Sequence, residues 1–360
     1  MANCTPASPS LTLRPRALVL AVQLPERRFS FAAELSEFKA LIGAAGATVA
    51  EEITQSRTHL DPAFLVGSGK AHEVAERVAA LEAELLFVLN AMRPRQRRSL
   101  ERLIAVPIID RTMLILDVFA RHARSKEGKL QVELAQLRYR QSNLIGIGAD
   151  LSRLGGGIGT RGPGETKLET DRRRIAERIK SLSRALEGVR RSRTTRRDRD
   201  GREPIVALVG YTNAGKSSLM NRLARSDALV ADQPFATLDP LTRRAYLGDG
   251  RFMRLIDTVG FITDLPQDLM TAFRATLEEL DTADLLLHVV DASNPDWHRQ
   301  AASVEAILGA LHLDAKPRFV ILNKCDALVE LPQRAGHLCV SAKTGAGIDA
   351  LRAELRERFP

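Results

Sequence analysis

Gly210 and Gly215 lie five residues apart with Lys216 and Ser217 directly behind them, a spacing suited to holding a chain of phosphates. Along Gly210-Tyr211-Thr212-Asn213-Ala214-Gly215-Lys216-Ser217-Ser218 the glycines let backbone N–H groups turn inward around an anion. A helix starting here adds its partial positive charge, the Lys216 ammonium reaches the β and γ phosphates, and the Ser217 hydroxyl is placed to coordinate Mg2+. Asp257-Thr258-Val259-Gly260 supplies two further groups. Asp257 is placed to hold Mg2+ through water, and the Gly260 N–H to bind the γ-phosphate. Between these motifs lies Phe235-Ala236-Thr237-Leu238-Asp239-Pro240. Thr237 can offer its hydroxyl to Mg2+ and its N–H to the γ-phosphate, so a bound nucleoside triphosphate is expected to order this turn-rich segment and hydrolysis to release it.

Choice of base falls to Asn323-Lys324-Cys325-Asp326. The Asp326 carboxylate can accept from both guanine N1–H and the guanine amine; adenine has neither donor in that place, so the charge would be left unpaired. Ser341-Ala342-Lys343 fits the last guanine-contacting loop, through the backbone N–H of Ala342. Each motif is short. Their occurrence in this order, each after a strand, reads as a GTPase, with a general ATPase as the residual alternative.

Those strands are apolar runs with turn residues at their ends. Ile205–Val209 sits between Pro204 and Gly210, Met253–Ile256 precedes Asp257, Phe319–Leu322 precedes Asn323, and Leu338–Val340 precedes Ser341. A helix with Leu219 and Leu223 at helical spacing follows the phosphate loop. Residues 201–360 are therefore expected to form an α/β domain with a doubly wound, mostly parallel sheet.

The chain upstream has two further parts. Residues 1–15 are rich in Pro and Ser and are expected to lack order. Residues 16–110 alternate strands (Ala17–Val22, Ala47–Val49, Phe64–Val66, Leu85–Leu89, Val106–Asp110) with short helices, which predicts a small parallel α/β domain. Gly67-Ser68-Gly69-Lys70 in this region reads either as a helix start or as a second phosphate contact. Residues 111–200 are read as an apolar helix (Met113, Leu114, Leu116, Val118) leading into a long antiparallel helical hairpin. Leu130, Leu134 and Leu137 mark one arm; Leu168, Ile175, Ile179, Leu182, Leu186 and Val189 mark the other at heptad spacing. The second arm is expected to be about 26 residues long, or ~39 Å. The tip is expected to be a glycine-rich loop over 146–164, and Arg190–Arg202 a hinge into the last domain.

Charge singles out the hairpin. The net charge of the whole chain is +9, and residues 138–200 alone hold 15 arginines and 2 lysines against 8 acidic residues, so the entire excess lies there. Localised basicity of this kind is the footprint of nucleic-acid binding; the alternative is a solvated linker. Arg153, Arg161, Lys167, Arg172 and Arg173 are the candidate RNA contacts, on a stiff arm with a glycine-arginine tip suited to structured RNA. Acidic lipid would call for aromatic residues beside the charges, and 165–200 has none. Apolar runs are too short to span a bilayer, no signal peptide precedes the first strand, and Cys4, Cys325 and Cys339 form no metal-ligand or disulfide pattern. A cytoplasmic protein, monomeric when free, is expected.

Over residues 16–360 the chain closely resembles the HflX family of ribosome-associated GTPases, within the translation-factor-related P-loop class. The resemblance rests on Gly155-Gly156-Gly157-Ile158-Gly159-Thr160-Arg161-Gly162-Pro163-Gly164-Glu165-Thr166-Lys167-Leu168-Glu169, on the phosphate loop, and on Asp257-Thr258-Val259-Gly260-Phe261-Ile262. Ile109-Asp110-Arg111 and Leu130–Leu137 also fit. It implies binding to the large ribosomal subunit, with the N-terminal region directed toward the peptidyl-transferase centre, and a role in splitting stalled or stressed ribosomes.

Two departures from the family's wider pattern matter. Ser218 stands where many members have threonine, and some members carry a C-terminal domain beyond the helix of Ile348, Leu351 and Leu355, whose function is not carried over. Ras-like enzymes place a water-orienting glutamine directly after the Asp-x-x-Gly glycine; here that residue is Phe261, without donor or acceptor. Slow basal hydrolysis, stimulated by the ribosome, is the expectation. Asn213 stands where related potassium-using GTPases carry asparagine, and reads either as a K+ ligand beside the phosphates or as a turn-stabilising residue. Three function classes follow: a GTP-driven factor acting on the ribosome, a GTPase switch in large-subunit assembly or for a protein or membrane partner, and an RNA-modification factor. The last needs a further catalytic cluster, and none is legible.

Overall fold

The computed structural model describes residues 14–25, 30–154, 163–197, 203–224, 235, 241–262, 280–328 and 337–359. Thr237, Arg161 and residues 1–13 of the expected disordered segment lie outside them. The chain divides into two compact units, one of Leu35–Arg111 with the described residues up to Pro25, the other from Thr112 onward with the described part of Glu26–Glu34.

The first unit is built on a parallel sheet in the order β2-β1-β3-β4, from β1 (Arg16–Gln23), β2 (Thr48–Ser56), β3 (Leu85–Val88) and β4 (Ile108–Asp110). β1 is an unbroken apolar run, fully buried from Ala17 to Val22, as a central strand covered on both faces requires. α1 (Phe31–Ala44) buries Phe38, Leu41 and Ile42, α2 (Ser68–Ala80) buries Ala71, Val74 and Val78, and α3 (Pro94–Leu103) buries Leu100. Asp110, at the end of β4, is buried against Arg97 at 2.7 Å, and Arg111 pairs with Glu37 at 2.9 Å.

The strand expected over Phe64–Val66 is instead the end of a turn. Asp61 and Leu65 exchange backbone hydrogen bonds at 2.9 and 3.1 Å, and the Asp61 carboxylate accepts from the Ala63 and Phe64 N–H groups. Pro62 and the positive φ of Leu65 (70°) close the chain here, so Leu65 and Val66 enter the core without a partner strand. Gly67-Ser68-Gly69-Lys70 starts α2, with Lys70 paired to Glu73 at 2.8 Å.

In the second unit α4 (Arg111–His122) is followed by α5 (Lys126–Leu154) and α6 (Pro163–Arg197), which form the antiparallel hairpin. Leu134, Leu182 and Leu186 are buried in its seam with Leu130, Leu137 and Ile179 against them, and Arg178 bridges to Glu133 across the arms at 2.7 Å. The loop expected over 146–164 is much shorter. α5 runs through Gly146 and Gly148 to Leu154, and α6 begins at Pro163. Two helical glycines cost about 1 kcal/mol each, less than the seam of Leu134, Leu182 and Leu186 contributes to holding the two arms together. Proline suits the first turn of α6, where its missing N–H is not needed. α6 is thus 35 residues long, or roughly 52 Å, against the 26 expected. Arg153 falls in the last turns of α5, Lys167 lies within α6, and the described part of α6 presents Arg173, Arg174, Arg178 and Arg184 to solvent with Arg172 half-buried.

The six-stranded sheet has the order β10-β9-β8-β5-β7-β6, built from β5 (Ile205–Val209), β6 (Leu241–Gly248), β7 (Arg251–Asp257), β8 (Leu285–Asp291), β9 (Arg318–Asn323) and β10 (Leu338–Cys339). Every pair is parallel except β6 with β7. α7 (Lys216–Ala224) and α9 (Ile348–Arg358) pack Leu219, Met220, Leu223, Leu351 and Leu355 against one face; α8 (Trp297–Ala310) covers the other. In such a sheet the loops beyond the carboxyl ends of the strands converge on one edge.

Candidate functional site

β5, β7 and β9 end in three of the five motifs picked out from the sequence, and their loops meet. Gly210 closes β5 at φ +153°, where a Cβ would lie 2.2 Å from the Val289 carbonyl oxygen. Gly215 sits at φ +88°, with a hypothetical Cβ 2.2 Å from Nδ2 of Asn323. Only glycine fits at either place, because the loop is pressed against neighbouring strands. Asn213 occupies the left-handed region at φ 59° and is exposed at the rim of the loop, a conformation that asparagine tolerates better than most residues.

Lys216 is buried, and its Nζ donates to the carbonyls of Gly210 and Tyr211 at 3.1 and 2.8 Å. Burial lowers its pKa to about 8, partly opposed by the charge of Asp257. Ser217 donates from Oγ to Oδ2 of the buried Asp257 at 2.5 Å, so the two motifs that should share a metal ion do meet. Thr258 donates to the Leu208 carbonyl at 2.7 Å and locks β7 to β5 behind the site. Gly260 lies against the phosphate loop, where a Cβ would fall 2.9 Å from Thr212 Cα and 3.1 Å from Lys216 Nζ. Phe261 is buried and forms a parallel bridge with Tyr211. Its N–H donates to the Gly210 carbonyl at 3.0 Å, and its carbonyl accepts from the Thr212 N–H at 2.7 Å.

Asn323 ties the phosphate loop to the base loops. Fully buried, it donates from Nδ2 to the Ala214 carbonyl at 2.8 Å and accepts on Oδ1 from the Ala342 N–H at 3.0 Å. Ser341, also buried, donates to Asp326 Oδ1 at 2.6 Å. That bond, helped by the charges of Lys343 and Lys324, holds the exposed Asp326 carboxyl below its usual range, so it is ionised and free to accept on its second oxygen. Lys324 is left-handed at φ 62°, and its ammonium meets Asp291 at 2.6 Å. Cys325 has a thiol pushed up to about 12 by burial and the neighbouring Cys339 thiol, which makes it a packing residue.

The structure therefore brings together Gly210–Ser218, Asp257, Gly260, Asn323–Asp326 and Ser341–Lys343. Sequence reasoning missed Asp291 and Arg222, which hold the base loops from behind. Asp291 ends β8 directly beside Asn323 in the register, a pairing that only the fold reveals. Among the described residues no cluster of three or more His, Cys, Asp or Glu side chains is placed to hold a metal ion, and no helix is long and apolar enough to cross a membrane.

A phosphate loop bonded through a buried asparagine to a loop bearing an ionised aspartate defines the guanine-nucleotide hydrolases of the P-loop class. Residues 205–324 match the family described as 50S ribosome-binding GTPase, 32–120 that described as GTP-binding GTPase N-terminal, and 122–199 that described as GTP-binding GTPase Middle Region. The chain is 49% identical over 329 residues to GTPase HflX of Caldanaerobacter subterraneus subsp. tengcongensis, covering 90% of this chain and 77% of that protein. It is 45% identical over 336 residues to GTPase HflX of Escherichia coli, covering 91% and 79%. The chain belongs to the HflX family of GTPases and is a GTP-hydrolysing enzyme. Its fold is shared with the solved SsGBP–GDP complex, at 23% identity and a TM-score of 0.53 over 96% of this chain and 98% of that one.

Proposed function

We propose that this chain is a cytoplasmic factor that binds the large ribosomal subunit and splits stalled or stressed ribosomes, with GTP hydrolysis as its timer. The observation that carries the reading is the exposed row of arginines on α6, a helix rigidly seamed to α5 and joined to a GTPase sheet within one compact unit. A stiff basic arm of about 50 Å suits ribosomal RNA. The match of residues 205–324 to a family described as ribosome-binding supports the same partner. In this reading residues 16–110 form the N-terminal domain, 111–200 the probe and 201–360 the timer.

GTP phosphates rest on the Gly210–Ser218 loop, Lys216, Thr237 and Gly260. Guanine is read by Asn323, Lys324, Asp326 and the Ser341–Lys343 loop. The hydroxyl of Ser217 and the carboxylate of Asp257, two hard oxygen donors 2.5 Å apart, fit Mg2+, with Thr237 as a further ligand and Asp257 acting through water. When bound, Mg2+ neutralises charge on the β and γ phosphates. Lys216 adds a buried positive charge and Gly260 a backbone donor. Phe261 brings no water-orienting group, so the ribosome is assigned the role of completing the site. A K+ ion held by Asn213 is the other source of charge stabilisation; hydrolysis that is indifferent to exchange of K+ for Na+ at constant ionic strength removes it.

The test is single-turnover GTP hydrolysis with and without large subunits, paired with light scattering of intact ribosomes. Stimulation and loss of scattering are expected with GTP. Equal rates, or subunit binding without dissociation, would leave a GTPase switch in subunit assembly.

A further inference from the structure

α7 serves the site from both ends. Its first turn carries Lys216 and Ser217; its last turn carries Arg222, which points at the base loop. Arg222 donates from Nε to the Ala342 carbonyl at 3.2 Å and from a terminal nitrogen to the Lys343 carbonyl. The guanidinium lies over Gly345, where a Cβ would be 3.7 Å from its Cζ. α7 is itself held at this end, because Arg352 of α9 donates to the carbonyls of Arg222 and Leu223 at 3.2 and 3.3 Å.

The rest of the loop is closed on itself. Ser341 N–H donates to the Ala346 carbonyl at 2.9 Å, Gly345 N–H to the Ser341 carbonyl at 2.8 Å, and Thr344 N–H to Ser341 Oγ at 3.0 Å. Ser341 is thus fixed on the N-terminal side of Ala342 by its backbone and by Asp326. On the C-terminal side the carbonyls of Ala342 and Lys343 are held by the Arg222 fork. A planar guanidinium with parallel donors can fix two adjacent carbonyls at once, which an ammonium cannot. With both flanking peptides pinned, the Ala342 N–H is held where it donates to Asn323 Oδ1, and guanine O6 is a second acceptor to be reached from that position.

We propose that Arg222 is a positioning residue for guanine recognition: it aims the Ala342 N–H at guanine O6 and couples the phosphate-binding helix to the base loop. This rests on the guanine site assigned above. Arg222 touches no part of the nucleotide in this scheme, so its loss acts on the O6 contact and leaves the Asp326 contacts in place.

Binding of three diphosphates to the full chain separates these effects: GDP; IDP, which keeps O6 and N1–H and lacks the amine; and 2,6-diaminopurine riboside diphosphate, which keeps the amine, carries an amine in place of O6 and has no N1–H. The last therefore binds more weakly from the start and is compared only between wild type and variant. Arg222→Met is expected to weaken GDP and IDP alike by about tenfold and to leave the diaminopurine nucleotide unchanged. Arg222→Lys, with a point charge in place of the fork, is expected to fall between. An equal loss for all three nucleotides, or no loss for GDP, overturns the proposal; the thermal midpoint of each variant shows whether an equal loss is unfolding. Asp326→Asn provides the separate control. It should abolish the preference for GDP over IDP in the wild-type background, and if that preference persists the base-site assignment itself falls.

Discussion

The ring of Phe119 meets the ring of Phe235 edge-on, with centroids 4.5 Å apart and planes at 68°. Phe119 belongs to α4, outside every nucleotide motif, and Phe235 opens the segment that contains Thr237; both side chains are buried. Edge-to-face pairs of this kind contribute about 0.5–1.5 kcal/mol beyond the area they bury. The contact holds Phe235 in place, and in the function proposed above Thr237, two residues on, is the group that meets the γ-phosphate.

Phe119→Leu is therefore expected to slow single-turnover GTP hydrolysis by ~tenfold while GDP affinity stays within about twofold, because loosening the anchor adds ordering entropy to the active arrangement alone. In a double-mutant cycle with Phe235→Leu, stability measured by urea denaturation should show a coupling of about 1 kcal/mol. Additive losses would mean that the rings merely share a neighbourhood.

Lys216 predicts a pH dependence. Its pKa is lowered from 10.5 to about 8 in the fold, so between these values the unfolded chain binds more protons. Stability from this residue therefore rises as pH goes from about 8 toward 10.5, and the cost of burying the charge is fully present below 8. Nucleotide phosphates need the charged form. GDP affinity should be flat below pH 8 and fall by up to about tenfold per pH unit above it, with proton uptake in titration calorimetry. Lys216→Met should bind weakly and lose the dependence.

Much of this site was legible because each motif follows an apolar strand, and strands such as β5 and β9 are buried runs with glycine or asparagine at their ends. Edge strands were harder. β2 extends to Ser56 through Glu51 and Glu52, which pair outward with Arg77 and Lys39, and β6 carries Arg243 and Arg244 in the open. Neither reads as a buried run, because one side of an edge strand needs no apolar cover. Gly146 and Gly148 misled in the opposite direction: two local breakers lie inside a helix that runs on to Leu154. Arg222 and Asp291 could not be read from spacing, since their partners lie 120 and 33 residues away.

Asp291 yields the third prediction. It holds the Lys324 ammonium at 2.6 Å, half-shielded from solvent, and accepts from Ser293 at 2.6 Å. Asp291→Asn keeps a hydrogen-bonding group and removes the charge that fixes Lys324 in its left-handed conformation. GDP dissociation followed by stopped flow should speed up by about fivefold, and the thermal midpoint should move by no more than a few degrees, because a partly exposed ion pair contributes about 1 kcal/mol or less. A large drop in thermal midpoint with unchanged dissociation would make Asp291 a folding residue instead.

The arm supplies the last. Arg173, Arg174, Arg178 and Arg184 are exposed along α6; Arg178 is engaged with Glu133, and Arg173 and Arg174 form only loose pairs with Glu177 and Asp171 at 3.7 and 3.9 Å. Exposed pairs at such distances are worth little, so these guanidinium groups can exchange their carboxylates for RNA phosphates at small cost. Replacing Arg173 and Arg174 by alanine should weaken co-sedimentation with large subunits and flatten its dependence on salt, by close to one unit of slope in log K against log salt for each phosphate no longer neutralised. GTP binding should not change, since neither residue belongs to a nucleotide motif. The double variant Arg153→Ala with Arg161→Ala asks the same of the tip. If the slope falls for the tip and not for α6, the probe meets RNA at its end; if it falls for α6 alone, the helix lies along the phosphate backbone. An unchanged slope for both variants would show that the arm's charge serves something other than RNA.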